Sequence, residues 1–322
     1  MRALPGAAGN LEAAARRKFS LGTLYSGPMT LWFSIFFLAP IAIIVVFSFL
    51  KKGLYGGVVM EFSTEAYRYL SNSIFLQITL RTLIIAVIST AITILVALPC
   101  GYYMAKSKYQ NLLLLLIIIP FWTNFLIRVF AWMNILGHYG ILNEILIRIG
   151  LIEDHISFLY SQNAVVLVLV YMYLPYAILP LFSSIDKFDF SLLEAARDLG
   201  ATKLESLMKI LIPNIRGGIF TAVLFTFIPI FGAYAVPLLV GGMDSYMLGN
   251  LIADQLSKSR NWPRASAISM VLTVVTTIGI LLMMHVQRRD ASRLVETTTA
   301  QETDAEGAFA SNGRRTAKER RR

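Results

Sequence analysis

The sequence predicts an all-α membrane protein with six transmembrane helices, and three observations carry that prediction. Hydrophobic residues make up 56% of the 322-residue chain and charged residues only 15%, whereas a soluble domain of this size carries about a quarter charged residues. The charges are clustered, so long uncharged runs separate short polar stretches. The runs lack the two-residue alternation of barrel strands, and lipid offers no hydrogen bonds to an open backbone, so helices remain.

Taken in order, Met29–Leu50 is uncharged up to Lys51, and Leu83–Met104 is uncharged with Pro99 near its end. Leu112–Leu136 holds a single charge, Arg128, and Pro120. Ala164–Phe182 contains Pro175 and Pro180, Ile219–Val240 contains Pro229 and Pro237, and Ala265–Val286 ends at His285. About 20 residues at 1.5 Å each cross the hydrocarbon core. The prolines suit helices that bend or move, and equally the general tolerance of membrane helices for proline.

Six spans place both termini on one side. Lys and Arg are more numerous there (Arg16, Arg17, Lys18, Lys106, Lys108, Lys187, Arg197, Lys203, Lys209, Arg216, Arg288, Arg289, Arg293) than opposite, where Lys51, Lys52, Arg68, Arg81, Arg148, Lys258, Arg260 and Arg264 fall. Termini in the cytoplasm follow from that bias. Residues 1–28 read as a cytoplasmic tail whose following apolar run is too long for a cleavable signal and stays as an anchor. Residues 29–286 form the six-helix transmembrane domain. Residues 287–322 read as a disordered basic tail, with RRTAKERRR either solvated or on anionic lipid. The net charge of +10 comes largely from this tail and the inner loops, so it argues for no nucleic-acid partner.

The longest polar interruption, within residues 184–218, repays close reading. Ser191-Leu192-Leu193-Glu194 fits a capping box that starts a short helix running to about Leu199. Gly200 stands where a helix end accepts the left-handed conformation. Thr202-Lys203-Leu204-Glu205 is a second capping box, followed by Leu204, Leu207, Met208 and Leu211 as one apolar stripe, broadened by Ile210 and Ile212, with Pro213 at the exit. The result is two short helices around a glycine turn. One lies on the inner ends of the spans and the other presents Glu194 beside two alanines as a knob for a partner protein. An ordinary amphipathic loop fits the same caps. A DNA-binding helix-turn-helix needs a more basic second helix.

This segment resembles the EAA motif of the membrane subunits of ATP-binding-cassette importers. Glu194, Ala195, Ala196, Gly200, Ile210 and Pro213 stand in the motif's register, with Ile212 where it has leucine. The resemblance implies a type I (MetI-like) importer transmembrane domain, in which the first helix docks on a cytoplasmic ATPase and alternating access follows from ATP binding there. Segments Pro120–Leu136, Leu174–Ala201 and Asn261–Ala267 are similar to permeases of the spermidine/putrescine importer family, first-permease type. That family implies an assembly with an ATPase dimer, a second permease subunit and an extracytoplasmic solute-binding protein in a bacterial inner membrane. Its relatives also carry opines and phosphonates. Phe227–Gly242 departs from putrescine-type relatives, which place glutamates where Ala233 and Leu238 stand.

The chain has no G-x-x-x-x-G-K-[ST] loop, so it carries no nucleotide site of Walker type; ATP and Mg²⁺ fall to the partner ATPase, and no cofactor is expected here. No nucleophile–base pattern or metal-ligand spacing stands out, the three histidines lie far apart, and the lone Cys100 precludes an intrachain disulfide. This is a transport subunit rather than an enzyme by that reading. A carrier driven by an ion gradient and a membrane scaffold are the alternatives from other classes.

Candidate path or gate residues come from the outer half. Arg128 inside a span costs about 2.5–3.5 kcal/mol on insertion scales, so it faces a cavity, pairs with a partner or snorkels. Asn124 and Trp132, four residues to either side, share its helical face. Ile141, Leu142, Ile145, Leu146 and Ile149 form an outer stripe ended by Gly150. Met247, Leu248, Leu251 and Ile252 form another after Asp244, a possible N-cap. Tyr234, Asp244 and Asp254 complete the path or gate candidates.

Overall fold

The computed structural model describes residues 26–282 and 284–285. The expected tails, 1–28 and 287–322, lie outside the described residues except for 26–28. Among the described residues five helical runs are long and apolar enough to cross a membrane, or six if one bent pair counts as a span. The helices are α1 (Ser26–Ser48), α2 (Glu65–Arg68), α3 (Ser73–Lys106), α4 (Gln110–Trp122), α5 (Phe125–Leu136), α6 (Ile141–Arg148), α7 (Gln162–Asp186), α8 (Ser191–Asp198), α9 (Lys203–Asn214), α10 (Arg216–Phe231), α11 (Ala235–Val240), α12 (Leu248–Ser257) and α13 (Trp262–Leu282).

Two of the six expected spans are broken. The run expected over Leu112–Leu136 is interrupted after Trp122, where Thr123 and Asn124 are extended and Asn124 restarts the helix by accepting the Leu126 amide at 2.8 Å. Pro120 stands in the 3₁₀ turn Ile119–Trp122 and cannot donate to the preceding ladder. The continuation Phe125–Arg148 has the length of a span but is interrupted at Gly137–Gly140. The run expected over Ile219–Val240 divides at Gly232–Tyr234 into α10 and α11.

Two compact units appear. The first comprises the described residues up to Leu76 with Leu251–Val271. Strands β1 (Leu50–Lys52) and β2 (Val58–Phe62) form an antiparallel hairpin there, with an irregularity between Leu50 and Lys51. The Gly57 amide donates to the Arg260 carbonyl at 2.9 Å, Ser48 Oγ and the Tyr67 hydroxyl lie 2.8 Å apart, and the Arg264 guanidinium stands 4.3 Å from the Tyr69 ring centre. These contacts tie hairpin, α2 and α13 together.

The second unit comprises Gln77–Asn250 and the residues from Leu272. Its centre is a cluster of Ala97 and Met104 from α3, Ala177, Ile178 and Leu181 from α7, and Ala222 from α10. Small side chains let three helices approach. At Gly218 of α10 a Cβ would collide with the Ser184 side chain and sit 3.1 Å from the Pro180 carbonyl oxygen, so only glycine allows this crossing. By contrast, the most apolar stretch of α1 has no buried residue, and its large side chains, Trp32, Phe33, Phe36 and Phe37 among them, face outward.

Candidate functional site

The polar segment after α7 forms two helices and one turn, as its caps predict, but the first cap differs. Ser191 is the first helical residue of α8, not its cap. The Asp189 carboxylate accepts the Ser191 amide at 3.0 Å, and hydrogen bonding from the Ser191 hydroxyl and amide holds its pKa below the ordinary carboxylate value. An aspartate two residues before a helix is the sequence signal for this turn.

The C-terminus of α8 closes as a Schellman motif. The Ala201 amide donates to the Ala196 carbonyl and the Gly200 amide to the Arg197 carbonyl, each at 3.0 Å, and Gly200 takes φ +92°. The second capping box forms. Thr202 N–H donates to Glu205 Oε2 at 3.0 Å, and Glu205 N–H to Thr202 Oγ1 at 3.2 Å. The Thr202 amide and hydroxyl and the nearby Lys209 lower the Glu205 pKa to about 2.

The expected stripe of α9 is buried only in part: Leu211, Leu207 and Ile210 meet the core. Leu204 and Met208 remain 70% and 56% exposed, while Ser206 and Leu211 are buried. A widened π turn spans Leu207–Leu211 and shifts the helical register beyond it by a residue. Pro213, lacking an N–H, follows it, and the Asn214 side chain donates to the Ile210 carbonyl at 2.9 Å. At Ile215 the chain then bends by 72° into α10.

The buried side of both short helices meets one cluster: Leu193 of α8, Leu211, Ile215 and Ile185 of α7, flanked by Leu207 and Ile210. Ile185 lies one turn beyond Leu181, a member of the central α3–α7–α10 cluster. A continuous packed column therefore runs from the polar segment into the helix bundle. On the other side Glu194 and Ala195 are exposed and Ala196 is half-buried. The motif residues thus divide: Glu194 and Ala195 face outward with Ala196 half-buried, Gly200 makes the turn, Ile210 packs on the buried cluster, and Pro213 is exposed.

The outer candidates do not form one group. Asn124 is the N-cap of α5 rather than a residue on its face. Arg128 and Trp132 do face aromatic company. The Arg128 guanidinium lies 5.8 Å from the Phe121 ring centre, Trp132 packs edge-on to Tyr171 at 5.2 Å, and Phe121 meets Tyr176 at 4.9 Å. Arg128 Nε is buried without a hydrogen-bond partner. These tyrosines of α7 escaped the sequence reading, because only the fold brings α4, α5 and α7 together.

Asp244 does not cap α12. It lies in a 3₁₀ turn and its Oδ2 accepts the Gln162 amide at 3.4 Å, at the positive end of α7. The Met247 amide at the α12 entrance is instead taken by Asn250 Oδ1 at 3.2 Å. The Tyr234 carbonyl accepts from Asn250 Nδ2 at 3.2 Å, and Asp254 pairs with Lys258 at 2.8 Å.

The stripe expected over Ile141–Ile149 faces outward. Ile141, Ile145 and Ile149 are exposed, while Asn143 is buried and makes four hydrogen bonds, to the Gly137, His138 and Ile156 carbonyls and from the Ile156 amide. The loop so pinned brings two of the sequence-distant histidines together, with the His138 and His155 rings 5.4 Å apart beside Tyr139.

The family of binding-protein-dependent transport system inner membrane components matches residues 94–292. The chain is 37% identical over 266 residues to the spermidine/putrescine transport system permease protein PotB of Escherichia coli (strain K12), covering 82% of this chain and 95% of that protein. It is 38% identical over 253 residues to the PotB of Haemophilus influenzae, covering 78% and 88%. In fold it resembles a chain in the crystal structure of a bacterial ABC transporter involved in the import of the acidic polysaccharide alginate, with a TM-score of 0.70 at 17% identity over 87% of this chain and 99% of that one.

Proposed function

Because the chain belongs to the family of binding-protein-dependent transport system inner membrane components, we propose that it is the transmembrane permease subunit of an ATP-driven importer of polyamines such as spermidine and putrescine. The similarity to PotB proteins supports the substrate class. The observation that carries the coupling role is the exposed Glu194 knob, whose helix is anchored through Leu193 to the packed column entering the bundle.

In this reading α8 docks on one subunit of a cytoplasmic ATPase dimer, which binds ATP and Mg²⁺. Its closure displaces α8, and the Leu193–Ile185–Leu211 contact passes the motion to α7 and α10. Rigid transmission requires close packing, and such packing has few alternative arrangements. The spans then open alternately to an extracytoplasmic solute-binding protein and to the cytoplasm. A second permease completes the pathway, and both termini face the cytoplasm. Arg128 and Trp132, with the tyrosines of α7, form the path-lining face. Aromatic rings suit ammonium groups, and Arg128 would move aside or be screened as the cation passes.

Two measurements test this. Vesicles holding the permeases and ATPase are supplied with binding protein, spermidine and ATP. Spermidine-dependent hydrolysis and uptake are expected, whereas uptake that persists without the ATPase on an ion gradient overturns the coupling reading. The variant Arg128→Met is expected to assemble normally and alter spermidine uptake severalfold; unchanged uptake removes Arg128 from the path.

A further inference from the structure

At the foot of the bundle a cavity of about 220 Å³ lies between the end of α3, α8 and the first turns of α9. Three cations line it, Lys106, Arg197 and Lys203, against one carboxylate, Glu194. None of the four forms an ion pair within the described residues. Asp198, next to Arg197 in sequence, is exposed and does not line the cavity, and Glu205 is committed to Thr202 and Lys209. Lys106 is held in place, its ammonium 4.8 Å from the Phe190 ring centre and 5.4 Å from that of Tyr102. Lys203 opens α9 and adds the positive end of that helix.

The depth of the cavity narrows what fills it. Lys106 is the last residue of α3, two beyond Met104 of the buried core. Tyr103 and Tyr109 nearby are 67% and 70% exposed, the aromatic and basic signature of the membrane–water boundary. The cytoplasmic leaflet carries anionic lipid, and basic pockets between helices on that side take lipid head groups. The volume is below the roughly 300 Å³ at which ordinary small-molecule pockets begin. It suits a phosphate ester rather than a nucleotide.

We propose that this cavity binds a phosphate group, supplied by an anionic lipid headgroup or by a free phosphate ester, and that the bound anion joins α3 to α8 and α9. Placing the site on the cytoplasmic side rests on the orientation proposed above. The anion removes repulsion among three converging cations and ties the knob to the membrane surface. The coupling segment is then held by two attachments, the apolar column inside and the phosphate at its rim.

The experiment uses the full permease complex without ATPase, so its outcome does not depend on ATP-driven import. Discs of phosphatidylcholine alone, of phosphatidylcholine with phosphatidylglycerol, and of phosphatidylcholine with glycerol phosphate in the buffer are compared. Retained lipid is read by native mass spectrometry, and protection of residues 191–206 by hydrogen exchange. Wild type is expected to retain phosphatidylglycerol and gain protection, and Lys106→Gln/Lys203→Gln to lose retention by about thirtyfold, the order expected for removing two cations at a membrane surface. Lys106→Arg and the neighbouring Lys108→Gln should retain it, which separates loss of the site from loss of the fold. Protection by glycerol phosphate without lipid retention identifies the free ester as the source. Equal retention by wild type and the double variant, with protection unchanged by either anion, overturns the proposal.

Discussion

The α8–α9 segment and the α5–α6 region are both short helices broken by glycine, yet they are built on opposite principles. In α8–α9 the polar groups sit at helix ends and satisfy one another locally: Asp189 with Ser191, Gly200 with Arg197, Thr202 with Glu205. In α5–α6 the decisive polar group, Asn143, is buried mid-helix and bonds to backbone six and thirteen residues away. The difference teaches how far a polar group reaches for its partners. Local caps let α8 and α9 shift as units without breaking hydrogen bonds elsewhere, whereas Asn143 binds its region to a single loop conformation.

The sharpest break in this comparison is charge reversal at the knob. Glu194→Lys is expected to reduce ATPase docking by on the order of thirtyfold or more, as for central interface residues, and to abolish ATP-driven uptake while leaving the permease folded. ATPase co-purification and circular dichroism on the same samples check both halves. A variant that docks and transports normally shows that α8 is an ordinary loop helix.

Next in size is the crossing that lies between the two regions. Gly218→Val places a Cβ and two methyl groups against Ser184 and the Pro180 carbonyl, and overpacking of this kind costs about 1–3 kcal/mol. A lower thermal midpoint in detergent is expected. An unchanged midpoint means α7 and α10 separate readily, and the proposed transmission column is then too loose to carry motion.

Comparable but confined to the other region is Asn143→Leu. It leaves the carbonyls of Gly137, His138 and Ile156 and the amide of Ile156 without this partner, at about 1–3 kcal/mol for the buried groups left unpaired. Hydrogen exchange should rise over 137–156 and stay unchanged over 191–214. Ile145→Ser, on the exposed stripe of α6, should disturb the fold far less.

The same contrast explains what was legible in the sequence. Gly200 and the Thr202–Glu205 box were readable because capping is a contract among residues within a few positions of one another. The spans were readable in number because hydrophobic length is a bulk property. Their breaks were not: Pro120 signals a bend only once Asn124 is seen to start a new helix, and Gly232–Tyr234 carries no comparable mark. Face assignment failed in α6, where the non-local bonds of Asn143 decide which side is buried, and succeeded only in part in α9, where Leu211 is buried and Leu204 and Met208 are not. Of the path candidates, Arg128 was visible as a charge out of place, but its aromatic company from α7 depended on tertiary packing. Asp244 was visible as a helix cap, and only the fold shows that it serves α7.

The smallest expected effect tests how local the α9 cap is. Glu205 has a pKa lowered from 4.5 to about 2 in the folded chain. A depressed carboxylate stabilises the fold fully above its unfolded value and loses that contribution as pH falls through its folded value. Protection of the first turn of α9, corrected for intrinsic exchange, should therefore be flat from pH 8 to about 5 and decline as the pH approaches 2. Asp189, also shifted downward, imposes the same direction at the start of α8. Glu205→Gln keeps the geometry of a capping box but removes the titrating group, so the acid-dependent loss over Thr202–Ser206 should disappear while that at Ser191 persists. If the variant removes both, the two caps act together, and the segment moves as one body rather than as two helices about Gly200.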